Sequence, residues 1–570
     1  MAANSKRWIV ATPLTPEAAA NLQKFPPVLR QLLYNRGYAT EAEAEAFLRA
    51  ETTFLTDPFQ LTGMAAAIDR LCLALERSEP IAIYGDYDVD GVTATALLVE
   101  TLRAFGGNVQ GYIPNRFDEG YGLNNEALDG LKARGVGLVL TVDCGIRSPQ
   151  EAGHARDIGL DMIISDHHQP APGELPAALA VINPKQPGDA YPDKNLAGVG
   201  IAFKIAEALF TCRAPSASLQ TADLLDLVAL GTVADLAPLT GENRLLVRKG
   251  LKQIRATRRQ GLSSLAGAAE MTLGRTTAGQ IGFVLGPRLN AAGRLESALA
   301  AFDLLTTADL MQAGQLAQQL NMQNRRRQEL TRETQDKAEA LATADDTDPL
   351  LLIAVDPDFN PGVVGLAASR LTDKYYRPAI VASRGETETR GSCRSIPEFH
   401  ITDALDECAD LLVRHGGHAA AAGFTVRNER LPELIERLKS IAERKLRHLD
   451  LRKSLLADME IPLSALDPGL LRHLQDFEPT GYGNSEALFV SRDVRVKSSR
   501  TVGADGKHLK IVLESERGVA LDAIGFRMGE LQAALPPRVD VLYAFEANEY
   551  NGRSSLQLNL KDLKPAGAAD

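Results

Sequence analysis

Residues 81–91 read IAIYGDYDVDG: a short apolar run followed by three carboxylates, Asp86, Asp88 and Asp90, at every second position. The run predicts a buried strand, and Ala94 to Phe105 has helical periodicity. Three carboxylates this close repel one another strongly unless cations sit between them. The alternative is an acidic turn on the surface. An apolar helix begins within a few residues, so the turn is expected to be pinned at the end of a sheet strand. The Glu that an EF-hand requires at its twelfth position is absent.

The same alternation extends outward. A helical pattern from Met64 to Glu76 precedes the strand. GNVQGYI (107–113), a helix around 125–133, VGLVLTVD (136–143), a helix around 149–157 and DMIISD (161–166) follow. Short apolar strands alternating with helices predict a doubly wound parallel sheet, with its site at the carboxyl ends of the strands. Further candidate ligands stand at those ends, Asp143 in VDCG and Asp166-His167-His168 in SDHH, and a further Asp235 follows the apolar LLDLVALGTVA. A lone Asp there is often a helix cap, and a lone His is usually satisfied in a core. Several of each on one edge favour a metal centre. Carboxylates with one or two imidazoles suit manganese or magnesium better than zinc. Two such ions about 3.5–4 Å apart activate a water and stabilise a leaving phosphate-ester oxygen.

Composition sets the limits. At 570 residues, 45% hydrophobic and 24% charged, the chain predicts several globular domains. Aromatics are 5% with one Trp, against a dense stacking surface, and the net charge of −11 argues against a simple basic footprint. Basic residues nevertheless cluster at Arg244–Arg259 and Arg325–Arg332, either as solvated helix faces or as an anion-binding surface. Five scattered cysteines without a C-x-x-C pattern fit reduced thiols. The first residues lack the apolar run of a signal peptide, and no stretch is long and apolar enough for a membrane span. A cytoplasmic protein is therefore expected.

Residues 308–343 read as a long helical connector. PLLLIAVDPDF opens a second α/β unit, where Gly391–Ser395 and Gly416-Gly417-His418 read as small-residue turns able to bring backbone N–H groups to phosphate. The last 120 residues alternate with period 2 in five segments, predicting an OB-like barrel.

In order, DYDVDG, VDCG, SDHH and GTVAD resemble the motifs of the DHH phosphoesterase superfamily. IYGDYDVDG, IPNRFDEGYGL, GPRLNAAGR, GVVGLAASRL, GSCRSI and HGGHAAAAG resemble its RecJ branch in particular, over nearly the whole chain. The resemblance implies an N-terminal helical region (1–60), a doubly wound DHH catalytic domain (61–305), a connector helix (306–345), a smaller α/β DHH-associated substrate-binding domain (346–450) and an OB-like nucleic-acid-binding β-barrel (451–570). It implies a two-metal (Mn2+ or Mg2+) exonuclease that digests single-stranded DNA 5′-to-3′ to mononucleotides in recombination and repair. It also implies cooperation with a RecQ-type helicase and single-stranded-DNA-binding protein, and a monomeric chain.

By the same resemblance Asp86, Asp88, Asp90, Asp143, His167 and Asp235 are expected as metal ligands, with Asp143 the bridge. His168 would touch the scissile phosphate and Asp166 would align its neighbours. Arg116, Arg288, Asn290, Arg294, Ser392, Arg394, Gly417 and His418 are expected to bind the strand. Two departures fall in this last group: Phe359-Asn360 stands where the family often has Trp-His, and Cys393 where Gly is common. Two rivals remain. A DHH phosphodiesterase for short oligonucleotides or cyclic dinucleotides usually lacks the barrel and N-terminal region. A non-catalytic DNA-binding scaffold loses metal ligands, and this chain retains every expected one.

Overall fold

The four apolar runs of the first half become four strands of a five-stranded sheet in a computed structural model. The structure describes residues 6–50, 56–115, 122–344, 346, 348–550 and 553–568. Strand order is Val109–Tyr112, Ile81–Gly85, Leu138–Val142, Asp161–Ser165, Ala180–Ile182, and every neighbouring pair is parallel. Every residue of Ile81–Gly85 and Leu138–Val142 is buried, as expected of parallel strands covered on both faces. Helices Met64–Glu76, Val89–Ala104 and Gly198–Cys212 pack on one face. Asn125–Ala133 and Pro149–Asp157 cover the other. Val109–Tyr112 lies on one side of Ile81–Gly85 and Leu138–Val142 on the other. Their divergence opens a crevice at the carboxyl ends, the usual ligand position in such sheets.

A helical layer continues the unit: Leu225–Ala234, Gly241–Arg255, Gln260–Ala268, and a π-helical turn, Ile281–Leu285, running directly into Gly286–Leu295. The connector is one helix, Leu310–Ala342, of 33 residues, about 50 Å long at 1.5 Å per residue. It packs on Gln260–Ala268 and Gly286–Leu295 on one side, and on Leu352–Asp356 and Val364–Tyr375 on the other.

The second unit is a mixed five-stranded sheet ordered Leu412–His418, Ala421–Arg427, Glu388–Arg394, Ala379–Arg384, Leu352–Asp356. This corrects one sequence expectation. Gly391–Arg394 and Gly416–His418 are strand residues rather than turns, paired through Ala421–Arg427. Their glycines signal close packing: a side chain at Gly391 would collide with the Phe424 ring.

The C-terminal strands Leu488–Val502, His508–Glu514, Ala520–Gly525, Arg553–Pro565 and Arg538–Tyr550 pair in that order. The first also pairs with the last, closing a five-stranded barrel. The N-terminal region is built into this end of the molecule. Leu22, Leu29, Leu32, Leu33 and Phe47 share the barrel's core, and strand Arg7–Val10 pairs in parallel with Ser454–Ala457.

The basic run from Arg244 is largely structural. The Arg244 guanidinium is buried, donates to the carbonyls of Phe47, Asp476 and Phe477, and lies 4.0 Å from the Phe47 ring centroid. Arg259 pairs with Asp226 and Glu100. Among the described residues, no helix is long and apolar enough to cross a membrane.

Candidate active site

Three of the four acidic motifs stand where a parallel strand stops, whereas Asp235 caps the end of helix Leu225–Ala234. Asp86 follows Ile81–Gly85, Asp143 follows Leu138–Val142, and Asp166 follows Asp161–Ser165. Asp86, Asp90, Asp143, Asp166 and His167 are buried, while Asp88 and Asp235 are half-buried. Asp88 caps helix Val89–Ala104, accepting from the Gly91 N–H at 3.0 Å. Asp90 accepts from the Gly198 and Val199 N–H groups at 2.7 and 2.8 Å. Those donors form the positive end of helix Gly198–Cys212. Only glycine fits at 198, because a Cβ there would lie 2.8 Å from the Asp143 Cβ and 3.0 Å from Asp90 Oδ2. Asp143 has φ +60°, a left-handed conformation that costs on the order of 1–3 kcal/mol and concentrates at functional sites.

The side chains converge. His167 Nε2 lies 3.0 Å from Asp143 Oδ1 and 3.9 Å from Asp90 Oδ2, and its Nδ1 lies 3.8 Å from Asp235 Oδ2. Asp143 Oδ1 and His167 Nε2 are both buried, yet neither makes a hydrogen bond. A carboxylate oxygen and an imidazole nitrogen at that separation, both buried and without hydrogen-bond geometry, can hold a shared cation. Potential ligand atoms fall into three sets, each within 4.8 Å: Asp86, Asp88 and Asp143; Asp90, His167 and Asp235; and Asp143, His167 and His168.

The electrostatics point the same way. Burial, then repulsion from neighbouring carboxylates, pushes Asp143 well above the usual carboxylate range. The same causes push Asp90 up to about 7 and Asp235 to about 9. Burial, then the neighbouring His168, lowers His167 to about 3, leaving a neutral imidazole. Without added positive charge this cluster would take up protons near neutral pH; divalent cations would keep it ionised.

Asp166 ties the edge together. Its Oδ2 accepts from the Ile146 N–H at 2.9 Å, and its Oδ1 lies 3.0 Å from the His168 N–H and 2.8 Å from His168 Nδ1. Burial favours its neutral form, but these hydrogen bonds and the His168 charge outweigh that and hold Asp166 below the usual range. The ring of His168 is thereby fixed through Nδ1, with Nε2 turned to other partners.

The GPRLNAAGR helix braces the acidic loop that follows Ile81–Gly85. Asn290 Oδ1 accepts from the Val89 N–H at 3.2 Å, and Gly293 lies so close to Tyr87 that a Cβ would sit 2.7 Å from its carbonyl oxygen. Asn290, expected on the strand, thus has its oxygen engaged by the loop. Arg288 donates to Asn321 of the connector and to the Val284 carbonyl. The Arg294 backbone abuts Gly362 of the second unit, and Gly365, three residues on, packs against Ser392 and Arg394. Arg394 and His418 both pair with Ala421, one from each side, so the three share one face of the sheet. Ser392 lies two residues from Arg394, donated to by its guanidinium at 3.2 Å. Gly417 has φ +151°, and a Cβ there would lie 2.5 Å from the Ala422 Cα. Arg116 lies outside the described residues.

Sequence reasoning missed Gly198, the Val199 N–H and Asn183, whose amide donates to the His168 carbonyl at 2.9 Å. The first two act through backbone, and only the small-residue run LAGVG hinted at a close approach.

Comparison with known proteins closes the assignment. Residues 80–232 match the DHH family N-terminal domain, residues 348–444 the DHHA1 domain, and residues 457–562 the RecJ OB domain. The single-stranded-DNA-specific exonuclease RecJ of Bacillus subtilis (strain 168) is 38% identical over 568 residues, spanning 99% of this chain and 71% of the relative. The crystal structure of RecJ with Mn2+ from Thermus thermophilus superposes with a TM-score of 0.83 at 32% identity, covering 99% of this chain and 80% of that one. The corresponding Mg2+ complex gives 0.78 at 31% identity, with coverages of 99% and 79%. With three family domains matched in order and a full-span relative at this identity, the chain belongs to the RecJ family of single-stranded-DNA-specific exonucleases.

Proposed function

We propose that the chain hydrolyses single-stranded DNA 5′-to-3′ to mononucleotides, using two Mn2+ or Mg2+ ions, in recombination and repair in the cytoplasm. The observation that carries this reading is Asp143 Oδ1 facing His167 Nε2 at 3.0 Å, both buried and neither hydrogen-bonded. Carboxylate oxygens with an imidazole fit a hard divalent cation. Asp86, Asp88 and Asp143 would hold one ion, and Asp90, His167 and Asp235 the other, with Asp143 reaching both. When bound, such a pair supplies an activated water and neutralises charge on the phosphate oxygens.

The protein's own groups do the positioning. Asp166 holds His168 so that Nε2 can donate to a phosphate oxygen. Ser392, Arg394, Gly417 and His418, on neighbouring strands of the second unit, would grip the strand's phosphates; Arg288 and Arg294 would do so from the first. In this division of labour residues 61–305 catalyse, 306–345 connect, 346–450 hold the scissile end, and 451–570 hold the remaining strand, braced by 1–60. A single-stranded-DNA-binding protein and a RecQ-type helicase, which present or produce single strands, are the partners that fit this activity.

The test uses 5′- and 3′-labelled single-stranded and duplex DNA with manganese, magnesium or chelator. Metal-dependent release of mononucleotides from the 5′ end of single strands is expected. Hydrolysis confined to dinucleotides would favour a small-substrate phosphodiesterase. Strand binding without any hydrolysis would favour a scaffold.

A further inference from the structure

Phe283 is 86% exposed, more than any other large apolar side chain among the described residues. It stands on the π-helical turn Ile281–Leu285, a rare geometry that recurs at functional sites. The turn feeds directly into the helix whose Asn290 braces the acidic loop. Seven residues separate Phe283 from Asn290, roughly 10 Å along a helix axis. An aromatic ring held in water two helical turns from that brace has no packing reason to be there.

The groups around this helix divide sharply by charge, with Arg288, bonded to the Val284 carbonyl next to Phe283, leading toward the connector. On the connector side Arg327 is largely buried and its Nε has no hydrogen-bond partner. Arg288, Arg294 and Arg370 crowd Arg327, and Arg325 crowds Arg288. Burial first, and then these like charges, lower Arg327 to about 10. A buried guanidinium without a counter-charge is costly, and an anion relieves it. On the other side Phe283 lines a cleft of about 650 Å³ whose far wall includes Leu474 and Phe545 of the terminal unit, with Glu478 and Glu546 beside them. Those carboxylates repel phosphate but tolerate a neutral base.

We propose that Phe283 is a base-stacking platform for the single strand, with Arg288 and Arg327 taking the adjacent phosphates and the base entering the apolar cleft. The inference rests on the nuclease reading and adds a reason for single-strand selectivity. Every unpaired base offers a π-face, so stacking ignores sequence; paired and stacked bases in a duplex offer none.

The test uses the full chain with calcium in place of the catalytic metal and fluorescent oligothymidylates, each carrying one abasic site that is moved along the strand. The native protein should lose affinity at one position of the gap, on the order of tenfold or more. Phe283→Ala should bind the intact strand weaker by a similar factor, with an unchanged salt slope, and should ignore the gap at that position. Arg327→Ala should flatten the salt slope instead. Phe283→Trp should restore affinity, and its emission should fall on strand binding, above the constant contribution of the single native Trp. Inorganic phosphate should not reproduce that quench. If Phe283→Ala binds as tightly as the native protein and retains the gap sensitivity, the platform is wrong. Quenching by a cationic apolar peptide but not by DNA would reassign the cleft to a protein partner. A native protein that neither binds nor cuts single strands would instead overturn the nuclease reading itself.

Discussion

At the scale of single residues, Asp143 concentrates the chemistry. It is buried, held at positive φ, and shared by two of the three ligand sets. Asp143→Ala should abolish hydrolysis, because in the proposed two-ion arrangement no water would replace the carboxylate that both ion positions would share. Calorimetric titration with manganese should show loss of at least one site, while strand binding in the cleft survives in part. Substantial turnover at matched folding and metal concentration would remove Asp143 from the centre. Arg394 acts differently. It is largely desolvated, and its guanidinium donates only to Ser392 and the Cys393 carbonyl, not to a carboxylate, among the described residues. Arg394→Ala should weaken strand binding by about 1.5–3 kcal/mol, as for a hydrogen bond to a charged group. The slope of log affinity against log salt should fall by about one, with manganese affinity unchanged. An unaltered slope with a lower melting temperature would make Arg394 a structural residue.

At the scale of elements, the start of helix Gly198–Cys212 does as much for the site as any acidic motif. Gly198→Ala would push a methyl group against Asp143 and Asp90. Such overpacking costs about 1–3 kcal/mol, so melting should fall modestly, while manganese affinity and turnover fall on the order of tenfold or more, as when groups that orient ligands are lost. Unchanged manganese affinity would mean that the packing there has slack. The parallel strands were legible in the sequence because burial on both faces leaves continuous apolar runs. The acidic motifs were legible because they end those runs. Strands Arg7–Val10 and Ala180–Ile182 were not: each has three or four residues, and the first is completed by a partner more than 400 residues away. Gly391–Arg394 and Gly416–His418 misled, since glycine marks both turns and strands pressed together. Arg244 misled too, because a guanidinium capping remote carbonyls looks, in sequence, like one on a surface.

At the scale of the molecule, Arg244 joins its own helix, Gly241–Arg255, to the N-terminal helices and the terminal unit through three carbonyls, those of Phe47, Asp476 and Phe477. Arg244→Ala leaves those acceptors buried and unpaired and should cost about 3 kcal/mol or more, read as a lower denaturation midpoint. Hydrolysis of very short oligonucleotides should persist in the folded fraction. A loss below about 0.5 kcal/mol would show that water reaches the junction. The same joint bears on truncation: cutting the chain near Asp450 would remove two of the three carbonyls that Arg244 holds and most of the core around Leu32 and Phe47. Lost stability is then expected alongside lost grip on long strands.

The pairing of the two chain ends also sets a clock on synthesis. The Trp8 indole donates to Asp562 at 2.7 Å, 554 residues later, and a ribosome adding about 5–20 residues per second needs roughly 30–110 s to make that stretch. Throughout that interval the apolar side chains of Leu29, Leu32 and Phe47 have no barrel to pack against. The nascent protein must therefore carry an open hydrophobic seam until the barrel strands up to Arg553–Pro565 emerge. Trp8, the single tryptophan, reports by its own emission when the seam shuts.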